Sequence, residues 1–344
     1  MKNFIVVIGL LVTFTFNLNA QNVEWNLSIF GFADNREYKS SVQIPQSILG
    51  IQFLPQIGLS FDSLHSISVG ANLLKEFGSD KFVDKVHPYV YYKFTGNHFS
   101  YHFGSFPRHQ FLSNNPKLLY YDSLDYYRPY INGLFWTFKK GGFTQSVYLD
   151  WTSRQTNTHR ETFIMGGQGS YSHGMLFVQN FIYMYHFAGT AIPDPNDHLR
   201  DNGVAYIRLG IDASQKTLFD SLSISISGVK SFERSRGAVG WHAPQGFIVE
   251  ATVEYKGLGI NNTFYKGEGH NLDWGDPYYR LKKYNRLDIY FTPLQFERVK
   301  GRFGISMHFA EGNISHQQKF TLIVDLNRKP QKKAVTKSTF WSNW

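Results

Sequence analysis

Period-two alternation of apolar and polar side chains, sustained for about ten residues at a time, constrains this chain more than any other feature, because only an extended strand sorts its residues that way. The stretch SLSISISG, residues 221–228, puts Leu222, Ile224 and Ile226 on one face and Ser221, Ser223, Ser225 and Ser227 on the other. The pattern recurs along the chain. Trp25, Leu27 and Ile29 form one apolar row, as do Ile51, Phe53, Ile57, Leu59 and Phe61, then Ile67, Val69, Ala71 and Leu73. In VHPYVYYKF the row Val86, Pro88, Val90, Tyr92, Phe94 opposes His87, Tyr89, Tyr91, Lys93, and FIVEATVEY, RLDIYF, RFGISMHF and FTLIVDL continue the series. About sixteen such segments are present, each near the length a tilted strand needs to cross a bilayer. Two segments, INGLFWTF and MLFVQNFIYMYHF, are apolar on both faces and have no assignable register. No segment carries helical periodicity over the length of a globular helix.

The connections alternate in length. TGNH (95–98), KKGG (139–142), YSHG (171–174) and KG (256–257) are short, whereas 108–129, 189–202, 232–243 and 267–282 are long. Tight turns at one end and extended loops at the other predict an all-β fold: a single antiparallel transmembrane β-barrel of about 16 strands, with short periplasmic turns and long extracellular loops. Aromatic placement agrees. Tyr92, Phe94, Phe99, Tyr101 and Phe103 flank one turn, and Phe143 and Trp151 bracket Val147 and Leu149, as interfacial girdles require.

Lys2, an apolar run from Phe4 to Phe16 and Ala20 before Gln21 predict a cleaved secretory signal over 1–20, too short for a comfortable membrane helix. The barrel is assigned to 21–327 and a basic periplasmic tail to 328–344. The chain has no cysteine, which excludes disulfides and thiolate metal sites. Of the formal +9, one charge lies in the signal and five in the tail (Arg328, Lys329, Lys332, Lys333, Lys337), so the barrel is nearly neutral and a nucleic-acid groove is not indicated.

Carried by this pattern and by the NAQ export boundary, the mature chain resembles a Gram-negative outer-membrane porin-like β-barrel. The resemblance is one of architecture. It departs from such barrels after Asn327, where a tail precedes FWSNW instead of a strand ending in an aromatic residue. It implies location in the outer membrane, with outer-membrane lipid and the β-barrel assembly machinery as partners. Its implied function is a channel for passive diffusion of small polar solutes; the alternative is a barrel-anchored surface protein whose loops bind polysaccharide.

Lumen-facing positions are where selectivity would reside. They comprise Lys93, Asp150, Arg208, Asp212, Glu250, Glu254, Arg286, Asp288, Arg302 and Lys319, a mixture in which neither sign dominates. The loop 108–129 combines Arg108, Tyr120, Tyr121, Asp122, Asp125, Tyr126, Tyr127 and Arg128, a composition suited to a constriction in the barrel mouth or to sugar contact. Glu268, His270, Asp273 and Asp276, and Asp194, Asp197 and Asp201, lack the ligand order of a calcium loop, so no metal or other cofactor is expected. His102 lies near Ser100 and His173 beside Ser172, but no G-x-S-x-G elbow or H-E-x-x-H pair is present. On those grounds the residues predict no enzyme.

Overall fold

The structure is a computed structural model that describes residues 22–192 and 198–327. The expected signal, the tail, Asp194 and Asp197 lie outside the described residues. The strands are β1 (Asn22–Glu37), β2 (Gln46–Ser60), β3 (His65–Glu76), β4 (Lys85–Thr95), β5 (Phe99–Pro107) and β6 (Tyr130–Lys140). They continue with β7 (Phe143–Ser153), β8 (Thr162–His173), β9 (Leu176–Phe187), β10 (Arg200–Asp212), β11 (Ser221–Ser235) and β12 (Val239–His242). The series ends with β13 (Gln245–Tyr255), β14 (Leu258–Gly267), β15 (Lys283–Gln295), β16 (Val299–Ala310) and β17 (Asn313–Asn327).

Leaving the short β12 aside, each strand pairs antiparallel with the strands before and after it, and β1 pairs with β17, so the sheet closes on itself. The short β12 is a rim strand in register with the outer end of β11, while β13 pairs directly with β11 lower down. The wall is therefore a closed 16-stranded barrel, as the alternation predicted. Closure satisfies the backbone of every wall strand from its two neighbours, which a lipid environment demands.

The alternation maps onto the wall as expected. Ile224 and Ile226 are more than half exposed on the outside, and Ser225 and Ser227 are buried inside. The tight KG turn works because Lys256 and Gly257 both adopt positive φ (49° and 80°), the conformation that matches the twist of the flanking strands. Glu311 and Gly312 repeat it (52° and 74°) at the opposite end, so one outer connection is also tight.

The two segments without a register have a simple explanation. Phe135 on β6 and Phe181, Tyr183 and Tyr185 on β9 point inward and are buried, while Trp136 and Ile182 face lipid. Their inner face meets protein instead of water. An aromatic core, including Tyr89, Phe106, Tyr148, Tyr206, Tyr265 and Tyr284, occupies the outer part of the lumen.

Ile224→Arg is expected to cost about 2–4 kcal/mol near the bilayer centre and to reduce heat-modifiable, assembled protein. Ser223→Arg, inward and in register with Asp212, is expected to assemble normally. Equal assembly of the two variants would overturn the assigned faces.

Candidate functional site

Two arrangements stand out, one inside the barrel and one on its outer flank. Inside, the 108–129 loop folds into the lumen. It leaves β5 at Arg108, whose fully buried guanidinium donates to the carbonyls of Arg128 (2.8 Å) and Tyr130 (2.6 Å) and to the Asp150 carboxylate on β7. Trp274, from the loop between β14 and β15, lies over the same guanidinium at 5.1 Å. Tyr126 stacks on Phe32 of β1 (centroids 4.3 Å apart, 13° between planes), and its hydroxyl reaches Asp34. Gln52 of β2 donates to the carbonyls of Asp125 and Tyr126.

The loop between β14 and β15 completes this plug. Backbone bonds join Asp276 N–H to Lys117 C=O (2.9 Å) and Tyr121 N–H to Trp274 C=O (3.0 Å). A Cβ on Gly275 would sit 2.0 Å from the Leu118 carbonyl oxygen, so only glycine permits the approach. His270 is pinned by Ser231 of β11 (2.7 Å), and burial pushes its imidazole down to about 4, leaving it neutral at neutral pH. Burial opposes ionisation of Asp122, but Lys117 and Lys319 outweigh it and hold that carboxyl well below its usual range. Asp276 goes the other way: burial raises its carboxyl against the pull of Arg286.

The lumen charges singled out from sequence all project inward, and most are engaged with neighbours. Arg208 pairs with Glu250, Arg286 with Asp288 (2.8 Å), and Asp150 with Arg108. Tyr290 donates to Glu254 (2.9 Å), and Arg302 donates to Thr292 while lying over Tyr290. Asp212 accepts from Ser214 and so caps the turn after β10. Lys93 is exposed toward the periplasmic mouth. In the loop, Arg108, Tyr120, Asp122, Asp125 and Tyr126 are buried in the plug, and Tyr121 and Tyr127 bond to Arg36 and Glu76. Only Arg128 is exposed. These side chains pack the barrel interior; they are not presented to an external polysaccharide, because the loop's apolar faces are covered by the wall they would otherwise leave wet.

On the flank, register builds a lateral rung. Trp151 pairs with Phe163, Phe163 with His186, His186 with Asp201, and Asp201 with Arg234, across β7 to β11. All five lie on the lipid-facing row of their strands. Trp151 and Phe163 stack at 5.1 Å as a girdle pair, and Phe163 lies 5.1 Å from the His186 ring. The rung then becomes charged. The Asp201 carboxylate, 4% exposed, accepts from His186 Nδ1 (3.0 Å), from Arg234 (2.7 Å) and from both Nε (2.9 Å) and Nη2 (3.0 Å) of Arg236.

A carboxylate only accepts, so Nδ1 carries a proton and donates it to Asp201, which leaves Nε2 as the ring nitrogen not engaged with that carboxylate. Two guanidinium groups face one carboxylate, leaving excess positive charge. Arg234 also lies 4.3 Å from the centre of the Trp241 ring. His186 stands ten residues along β9 from Leu176 at the inner turn. On a tilted strand that is a height of about 25 Å, where the apolar band gives way to headgroups.

From the sequence alone Asp201 reads only as a loop acid, and His186, Arg234 and Arg236 do not stand out. A signal existed: extending the lipid-facing row of SLSISISG by three steps reaches Lys230, Phe232 and Arg234, and cations in that row are out of place.

A model of the family described as lipid A 3'-O-deacylase-type matches residues 17–339. A search of curated proteins finds no match. Among solved structures, a loop-deletion mutant of OmpT, an outer membrane protein of Vibrio cholerae, aligns with a TM-score of 0.57 at 10% identity, covering 90% of this chain and 100% of that one. The anion-selective porin from Comamonas acidovorans aligns at 0.53 and 12% identity, covering 89% and 100%. Pseudomonas aeruginosa OccK2 aligns at 0.53 and 10% identity, covering 89% and 98%. At such identities the likeness is one of fold alone. The family match overturns the expectation of no enzyme. That expectation rested on linear motifs, and residues brought together across strands leave none to find.

In planar bilayers the intact protein is expected to show no steady porin-scale conductance, and deletion of residues 112–125 is expected to open it. A large conductance in the intact protein would mean that the plug does not close the lumen.

Proposed function

The chain belongs to the lipid A 3'-O-deacylase-type family, and from that premise we propose that it is an outer-membrane hydrolase that removes an ester-linked acyl chain from lipid A in the outer leaflet. One observation carries this reading beyond the family name: the His186–Asp201 pair faces lipid at the outer interface, flanked by Arg234 and Arg236. An ester between a sugar and a fatty acid lies at that depth, where the headgroup meets the hydrocarbon. The plugged lumen favours the same reading over passive diffusion, because a channel needs an open path and a flank site does not.

No hydroxyl side chain occupies the rung, so the chemistry assigned to it is general-base attack by water. His186 Nε2 takes a proton from water as the water oxygen bonds to the acyl carbon. The bond from that carbon to the sugar oxygen then breaks, and the proton passes from His186 to the leaving oxygen, giving a free fatty acid and an alcohol. Asp201 holds the ring orientation and stabilises the imidazolium. The guanidinium charge in excess of Asp201 offsets the negative charge developing on the carbonyl oxygen.

His186→Gln and Asp201→Asn are expected to fold, because the rung lies on the barrel surface, and to lower the rate of acyl release by about 10²–10⁴-fold. The measurement is the mass of lipid A recovered from membranes bearing each variant. Undiminished release in both would remove this pair from the reaction, and no release by the unaltered protein would remove the deacylase reading itself.

A further inference from the structure

Lys230 sits where a barrel wall does not normally place a charge. The lipid-facing row of β11 runs Leu222, Ile224, Ile226, Gly228, Lys230, Phe232, Arg234, and Lys230 is exposed within it. It stands nine residues from Ser221 at the inner turn, against eight from Phe143 to Trp151 on β7, which brings it to the level of the outer aromatic girdle. No hydrogen bond or ion pair to its ammonium group is found among the described residues, although acids on the same flank, Asp201 above all, hold the neighbouring cations. A lipid-facing lysine lowers barrel stability unless its charge meets water or an anion at the interface.

The outward row of side chains is interrupted just below it. Lys230 is in register with Ala205 on one side and Gln245 on the other. One step down, Gly228 lies between Ile207 and Phe247, and a Cβ placed on it would have nothing within 4 Å. A shallow apolar trough therefore opens directly below an uncompensated cation. Along β10, Ala205 is four residues from Asp201, about 13 Å, within the span of one glycolipid headgroup.

We propose that Lys230 is a specificity-determining residue that binds a phosphate on the headgroup of the lipid substrate, while an acyl chain of the same molecule lies in the trough over Gly228. This inference rests on the deacylase reading of the rung and adds the substrate's charge to it. The source of the phosphate is a membrane lipid, because the site opens sideways to the bilayer and not to the lumen or the loops. Lys230 acts through binding alone, at a distance from the reacting ester, so its removal affects KM and leaves kcat in place.

The test compares Lys230→Met with the unaltered protein in mixed micelles of purified lipid A, either intact or dephosphorylated by phosphatase. Methionine is better suited to a lipid-facing position than lysine, so the variant is expected to assemble at least as well. With the phosphorylated lipid, KM is expected to rise roughly five- to tenfold at unchanged kcat. With the dephosphorylated lipid the two proteins are expected to be alike. An equal effect on both lipids, or no effect on either, overturns the proposal. Binding of the same two lipids is measured in parallel with His186→Gln and with the double variant carrying Lys230→Met. Preference for the phosphorylated lipid that disappears with Lys230 sustains the subsite even if the unaltered protein releases no fatty acid, whereas equal binding of both lipids refutes it whatever the outcome for turnover.

Discussion

Closure of β1 onto β17, residue against residue from Asn26 with Asn327 to Glu37 with His316, is the constraint from which the rest follows. In hydrocarbon an unpaired backbone N–H or C=O costs several kcal/mol, so a sheet can cross a bilayer only as a ring. Once the ring is closed, each strand has one face toward lipid and one toward the lumen. Every later feature of the protein is a decision about what occupies those two faces.

The inward face is divided by height. Toward the periplasm it carries the serines of β11 and pairs such as Arg208 with Glu250, which leave the lower lumen polar. Toward the outside it is aromatic, and two loops fold down to cover it. Arg108 is the fastening. Its guanidinium joins the loop's two ends, the β7 wall through Asp150 and the second loop through Trp274. Removing either charge of that pair would leave the other buried and uncompensated, a loss of about 3–5 kcal/mol for pairs of this kind. The barrel thus has the wall of a porin and the interior of a packed domain.

With the outer part of the lumen packed, the other arrangement of note lies on the flank. Antiparallel register is a device for bringing distant residues together: His186 and Asp201 are separated by a whole outer loop yet lie opposite one another on adjacent strands. The girdle aromatics Trp151 and Phe163 continue into this pair, so the rung is set at the depth of the interface by the same forces that place any aromatic belt. The proposed deacylation requires its reactive groups at that depth, and a strand end supplies it without any change of fold.

The sequence by itself determined the wall. Alternation over strand-length segments, with turns short at one end and long at the other, pointed to the barrel, to about sixteen strands and to the facing of Leu222, Ile224 and Ile226, because side-chain order and turn length are both written along the chain. It also placed the charged residues of the lumen inward. It did not determine what the lumen holds, since INGLFWTF and MLFVQNFIYMYHF are apolar on both faces only because loops from elsewhere in the chain cover one of them. Nor did it reveal the rung, where His186, Asp201 and Arg234 meet through strand register, and where Arg236 turns back from a loop to the same carboxylate. Period-two order is local and survives in one dimension; contact between strands is not, and only the closed sheet decided which residues became neighbours.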